Sequence, residues 1–264
     1  MEPLATGGPT PPSGGNQRTG LWIGVLAAFL TVLAAVAVAG VYVISRAIDD
    51  GKPASRDAVK ASEPAASESA SAPAGAASCR YEQTSEPAAK DVGLPPAPPA
   101  NGPSSATIAS SIGTIKLKLD PKAPCTTHSF AFLAGKKYFD GTSCHRLTNQ
   151  GIFVLQCGDP TGTGTGGPGY QFGTENLPTG SANPYPAGTL AMARTQDPNS
   201  NGSQFFIVYG TSQLGPDYTV FGTVSEGLDL IKKSAAAGHD GSFDQVAGGG
   251  RPKTPVVFQS VTAQ

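Results

Sequence analysis

The chain is poor in the residues on which most active sites are built. Only three histidines occur in 264 residues, His128, His145 and His239. None belongs to a Cys/His zinc spacing, the four cysteines include no CxxC pair, and no acidic cluster stands ready to share an ion. Metal chemistry therefore lacks its ligands, and no metal is expected. Ser203 sits between Gly202 and Gln204 without a G-x-S-x-G elbow. A serine hydrolase would also need a base and an orienting acid, which the pattern does not supply. Charge is nearly balanced, with 18 basic and 19 acidic residues, and no block of five or six like charges occurs. That removes the basis for a nucleic-acid partner. Internal repeats of useful length are also missing.

A glycine run, Gly162-Thr163-Gly164-Thr165-Gly166-Gly167, satisfies G-x-G-x-x-G. A dinucleotide site needs a strand before this run and a helix N-terminus after it. Pro168-Gly169 follows instead, and no amphipathic helix comes next. The run reads as a tightly turned loop, and no cofactor is expected.

What is present divides the chain into four parts. Residues 1–20 are rich in Gly, Pro and Thr and read as a disordered tail. Leu21 to Ile44 is an apolar run of 24 residues without a charge. As a helix it would reach about 36 Å, enough for a bilayer core of about 30 Å. Trp22 and Tyr42 stand near its ends, as interfacial rings do. The competing reading is a cleaved signal peptide with Ala37-Val38-Ala39 as the small-residue site, but signal cores are shorter, at about 7–15 residues. A retained single-pass anchor is the expectation. Residues 45–105 are rich in Ala, Ser and Pro and read as a disordered tether, with Cys79-Arg80-Tyr81 as an island that could dock on the domain. Residues 106–264 read as one domain large enough for a real core.

Orientation draws on two opposing signals. Arg18 precedes the apolar run, whereas Arg46, Lys52, Arg56 and Lys60 follow it. The positive-inside rule then favours a cytoplasmic C-terminal part. An even cysteine set (Cys79, Cys125, Cys144, Cys157) and the spacer-like composition favour an extracytoplasmic one. The extracytoplasmic placement is the expectation. Four cysteines allow three full pairings, and their spacing alone leaves all three open.

Within the domain, Ile115, Leu117 and Leu119 alternate with Thr114, Lys116 and Lys118, the period of a half-buried strand. Further strands are expected over 106–110, 143–147, 152–156, 189–193, 204–209, 219–224 and 256–262. Helices are expected over 124–134, with Pro at the start and Gly135 as the stop, and over 227–236. Residues 157–188 read as long loops. Many short strands with two short helices suggest a closed barrel with helical caps.

His145 and Arg146 are strand neighbours, so their side chains take opposite faces. His145 by itself reads as a structural histidine. In Gln204-Phe205-Phe206-Ile207-Val208-Tyr209, the residues Phe205, Ile207 and Tyr209 share one face, and Gln204, Phe206 and Val208 the other. Val154 and Gln156 likewise share a face. Periodicity alone is compatible with plain packing for all of these.

Eight blocks in order carry a family resemblance. They are Gly113-Thr114-Ile115, Phe139-Asp140-Gly141-Thr142, His145-Arg146, Leu155 to Pro160, Gly164 to Tyr170, Gly188 to Ala193, Asn201 to Phe206, and Val220-Phe221-Gly222. Over about residues 106–264 the chain resembles the cyclophilins, peptidyl-prolyl cis–trans isomerases, and among them the membrane-tethered actinobacterial members. The resemblance implies a mainly β fold, a closed eight-stranded antiparallel β-barrel capped by two α-helices. It implies rotation about X-Pro bonds of folding proteins at or outside the membrane, with a non-catalytic proline-binding or chaperone module as the alternative. Arg146, Gln156 and Phe206 match the family's catalytic positions. Phe153, Val154, Phe206 and Leu214 match the proline pocket, with Val154 in place of a usual Met. Ala193, Arg194 and Thr195 match the peptide-binding edge, Gln204 and Gly164 the neighbouring subsite, and Tyr218 the rim. The implied partners are proline-containing peptides and unfolded chains, acted on by a monomer without a cofactor.

The chain also departs from the pattern. Thr148-Asn149-Gln150 stands where the family's turn is shorter, so an enlarged hairpin loop is expected. Arg194 replaces a common Asn, Tyr218 a common His, and Gln213 lies near a Trp that aids cyclosporin binding in eukaryotic members. Cys144 and Cys157 fall on adjacent antiparallel strands, so a hairpin disulfide is expected, with Cys79–Cys125 as the remaining pair.

Overall fold

The computed structural model describes residues 78–180 and 182–264. The tail, the expected membrane span 21–44 and the first part of the tether lie outside them. Among the described residues no helix is long and apolar enough to cross a membrane.

Alternation builds the sheet. In β2 (Ser105–Ser110) and β3 (Gly113–Leu119), every second residue is buried. Ile108, Ile115 and Leu117 are each at most 1% exposed. Burial of such a side chain contributes about 1.5–3 kcal/mol, while Lys116 and Lys118 keep the other face in water. The remaining strands are β4 (Arg146–Gln150), β5 (Ile152–Cys157), β7 (Thr189–Met192), β8 (Phe205–Val208), β9 (Val220–Glu226) and β10 (Phe258–Ala263). Together they form one antiparallel sheet in the order β10-β2-β3-β9-β7-β8-β5-β4. A short pair, β1 (Glu82–Gln83) with β6 (Tyr170–Gln171), lies apart from it.

The expected closed barrel is therefore corrected in one respect. Its eight antiparallel strands and two helices are present, but no ladder joins β4 to β10. The seam is covered by residues 250–257, which run into β10 and make isolated bridges Leu147↔Gly250 and Ser143↔Val257. A curled sheet sealed by such bridges still hides the open edge of β4.

Helix α1 (Pro124–Gly135) begins with proline, whose fixed φ suits the first turn. No side chain of its own caps it. Glu175 does so from another loop, accepting from the N–H groups of Cys125 (3.4 Å) and Thr126 (2.6 Å). A carboxylate at this end also faces the positive pole of the helix. Phe130 and Leu133 are buried in the core, and Phe130 meets Phe139, Phe205 and Phe221 at centroid distances of 5.2–5.6 Å. Helix α2 (Leu228–Ala235) buries Ile231, Ser234 and Ala235.

The expected enlargement of the β4–β5 loop is also corrected. Thr148, Asn149 and Gln150 continue the strand and pair with Val154, Phe153 and Ile152. The turn is Gly151 alone, at φ 70°. The extra residues lengthen the hairpin rather than its loop.

Residues 78–104, read from composition as tether, lie packed along the domain. Cys79 is bonded to Cys125 of α1, and Cys144 to Cys157. Tyr81 donates to the Cys125 carbonyl (2.7 Å) and meets Tyr170 and Phe172 edge-on at 5.6 and 5.4 Å. Thr84 and Ala89 donate through their backbones to the carbonyls of Gly169 and Gly167. Lys90 Nζ donates to the carbonyls of Tyr138 (2.8 Å) and Asp140 (3.1 Å). We call this segment the strap.

Candidate active site

Strand register assembles the site. Arg146 pairs with Gln156, Gln156 with Phe206, Phe206 with Ala191, and Ala191 with Val220. Directly opposed residues point to one side of a sheet, so this row crosses five strands on a single face. The row beside it, Leu147, Leu155, Ile207 and Leu190, points the other way into the main core.

Arg146 is half-buried and tightly held. Its Nε donates to Gly248 O (2.8 Å), its Nη1 to Gln156 Oε1 (3.1 Å), and its Nη2 to Ala247 O. A guanidinium has five N–H donors; three bonds to the protein leave two for another molecule. Burial pulls its pKa below the ordinary arginine value, but arginine remains charged at any working pH. The chain of amides continues outward. Gln156 Nε2 donates to Gln204 Oε1 (2.9 Å), and Gln204 Nε2 to the carbonyls of Gly164 (2.9 Å) and Gly166 (3.0 Å).

An apolar patch lies beside this chain. Val154, Tyr185, Ala191, Phe206 and Val208 are buried together, with Ile152, Ala193, Leu214, Tyr218 and Val220 packed on them. Phe206 is 5% exposed. It meets Tyr218 edge-on at 5.4 Å and Tyr185 at 6.4 Å. The Arg194 guanidinium lies 5.5 Å over the Tyr218 ring and donates to the carbonyls of Asp217, Thr195 and Gln196.

The structure thus gathers Arg146, Gln156, Phe206, Val154, Gln204, Gly164, Ala193, Arg194, Leu214 and Tyr218 on one side. Thr195 is exposed at its edge. Phe153 does not join them. It takes the opposite face of β5, packs on the main core and meets Tyr209 at 6.0 Å. Strand alternation separates it from Val154 and sets it on the other face of β5.

Two supports escaped the reading of the sequence. Asp159, fully buried, accepts from the backbone of Thr161 (2.7 Å), Gly164 (2.7 Å) and Gly166 (3.2 Å), and from the Thr161 hydroxyl (2.7 Å). Burial alone would raise its pKa, but these bonds outweigh it and hold the carboxyl below the usual range. The glycine run is therefore a loop wound around one carboxylate. The second support is the 247–249 turn, whose carbonyls hold Arg146. Gly249 has φ 80°, and a Cβ there would lie 2.2 Å from Leu147 O, so only glycine fits. Asp-Pro-Thr-Gly and the Gly248-Gly249-Gly250 triplet were the available signals.

His145 is 2% exposed, and its ring nitrogens find no hydrogen-bond partner among the described residues. Its ring approaches Phe243 at 6.4 Å. Burial lowers its pKa, Asp159 opposes that, and Arg146 and Arg251 reinforce it. Ser203 is buried and donates to Gly158 O at 2.7 Å. Both are framework residues rather than a base and a nucleophile.

Residues 105–263 match the family model for cyclophilin type peptidyl-prolyl cis-trans isomerases. The chain belongs to the cyclophilin family. A probable peptidyl-prolyl cis-trans isomerase B of Mycobacterium tuberculosis is 47% identical over 206 residues, covering 70% of this chain and 63% of that protein. A probable isomerase B of Mycobacterium leprae is 45% identical, covering 69% and 65%. The chain thus spans less than two thirds of these relatives. The crystal structure of a cyclophilin type isomerase from Cryptosporidium parvum is similar at a TM-score of 0.52 and 28% identity, covering 61% of this chain and 97% of that one. The cyclophilin match begins at residue 105, so the strap precedes it.

Proposed function

We propose that the protein catalyses rotation about X-Pro peptide bonds. The observation that carries this reading is Arg146, held by Gln156 and two carbonyls with two N–H groups unspent, beside the Phe206 patch. An X-Pro bond has partial double-bond character, with a barrier of about 18–20 kcal/mol for peptide rotation. At the twisted transition state the nitrogen lone pair leaves conjugation and becomes a hydrogen-bond acceptor. A fixed guanidinium donor aimed there stabilises the twisted state more than either planar one, which is what catalysis requires. Val154, Phe206 and Leu214 would hold the proline ring while the acyl side turns. Gln156 keeps the fork oriented, and the Gln204–Gly164 end receives the flanking residue. No step forms or breaks a covalent bond, so no proton need be moved.

We further propose that the isomerase acts as a monomer on unfolded or folding chains outside the membrane, tethered by residues 21–44. The uncharged 24-residue run and two disulfides support this placement. The test is the cis-to-trans rate of an Ala-Pro tetrapeptide with the purified full chain. Acceleration supports the enzyme. Binding of the peptide with an unchanged rate would establish the binding module in its place.

A further inference from the structure

Beyond the Gln204 end of the amide chain lies a cleft of about 450 Å³. Its lining includes Gln204, Gly164 and Arg194. The strap contributes Thr84, Glu86 and Pro87 to the same lining. These three residues precede the part of the chain that matches the family. The strap is fixed there by backbone bonds from Thr84 to Gly169 (3.0 Å) and from Ala89 to Gly167 (2.8 Å), and by the Cys79–Cys125 bridge.

The charges facing this cleft are unequal. The Arg194 guanidinium is engaged by three carbonyls and the Tyr218 ring. The Asp159 carboxylate is buried and saturated beneath the glycine loop. Glu86 is exposed, and its carboxylate has no hydrogen bond or ion pair among the described residues. Arg194 keeps its Nη2 N–H groups but is held in place by those contacts, so among the described residues Glu86 is the one charged side chain of the cleft with no bond to the protein. Asp91 lies in the adjoining hollow of the strap and adds to the same sign.

We propose that the strap completes a specificity subsite in which Glu86 selects proline peptides carrying a lysine or arginine beside the X-Pro pair. This rests on the isomerase reading above. An ion pair at an exposed site should favour Lys over Glu by about 2- to 5-fold in kcat/KM, and less as salt rises.

The experiment measures kcat/KM of the full chain for peptides with Lys, Ala or Glu at each position flanking the X-Pro pair. The expected result is a Lys-over-Glu preference at one position that disappears in Glu86→Gln and shrinks between low and high salt. Glu82→Gln, whose parent pairs with Arg80 at 2.6 Å outside the cleft, should retain the preference. Equal Lys and Glu rates at every position in the unaltered chain would overturn the subsite. So would a preference unchanged by Glu86→Gln, or one lost equally in Glu82→Gln. Those results leave the isomerase reading standing. A chain that accelerates none of the peptides removes both.

Discussion

Arg146 and Gln156 stand directly opposite each other in the β4–β5 ladder, and their side chains are hydrogen-bonded at 3.1 Å. The guanidinium is thereby oriented by a neighbour that the sheet itself positions. Replacing Arg146 with Ala should lower kcat by about 10²–10³-fold, the usual loss for one preorganised donor. Circular dichroism should remain unchanged, since the side chain is only half-buried. Arg146→Lys should recover little, because a point charge cannot keep three protein bonds and still present a directed donor. A folded Arg146→Ala protein with full activity would move the site elsewhere.

Gly249→Ala tests the carbonyl clamp. The added Cβ would collide with Leu147 O, and φ 80° is unfavourable for alanine. The turn must shift and take the carbonyls of Ala247 and Gly248 with it. The expected outcome is a Tm loss together with a fall in kcat in the folded fraction. Unchanged kcat would show that Gln156 alone suffices to hold Arg146.

Asp159→Asn tests the wound loop. Three backbone N–H groups lose a charged acceptor, and stability should drop by about 2 kcal/mol or more. The linkage has a definite sign. The folded pKa lies below the unfolded value, so the carboxylate's contribution is present above about pH 4 and is lost as pH falls through the folded pKa. Chemical denaturation from pH 6 to pH 3 should show a steeper decline for the unaltered chain than for the variant.

His145 gives a second pH dependence at a higher range. Its folded pKa is lowered by burial, so the unfolded chain binds the proton more readily. Stability should be flat above about pH 6.5 and should fall as pH drops below it. His145→Leu should flatten the profile between pH 6.5 and 5. An identical slope in the variant would assign the effect to another group.

The two disulfides close loops of different length, with sequence separations of 46 and 13. Chain entropy alone assigns them about 4 and about 3 kcal/mol respectively. Removing Cys79–Cys125 by paired Ser substitutions should cost more in Tm than removing Cys144–Cys157. The opposite order would mean that packing around Cys144 and Cys157 outweighs loop closure.

Most of the sheet was legible in the sequence because each half-buried strand alternates. The row from Arg146 to Phe206 was legible only in part. Periodicity placed Gln156 with Val154 and Gln204 with Phe206, but joining them to Arg146 took register, which depends on where the hairpin turns. Thr148, Asn149 and Gln150 look like loop residues and are strand because Gly151 makes the turn alone. Phe153 entered the site through its similarity to a family position, while strand alternation sets it on the face opposite Val154. Asp159 gave little warning, since a lone buried carboxylate is recognised only by the donors around it. The strap was hidden by its composition. Its order comes from Tyr81, Lys90, the backbone bonds of Thr84 and Ala89, a few scattered apolar contacts such as Val92, and one covalent bond, not from a periodic hydrophobic pattern.

The Cys79–Cys125 bridge also sets how the domain would bear a load. A pull through the chain on the N-terminal side enters at Cys79 and passes across the sulfurs into α1, whose Phe130 and Leu133 are anchored in the core. Residues 80–104 lie inside the covalent loop and are bypassed. With the bridge reduced, the same pull would act first on the Tyr81 contacts and then on the two-residue β1–β6 pairing, so the strap would peel before the main sheet felt the force.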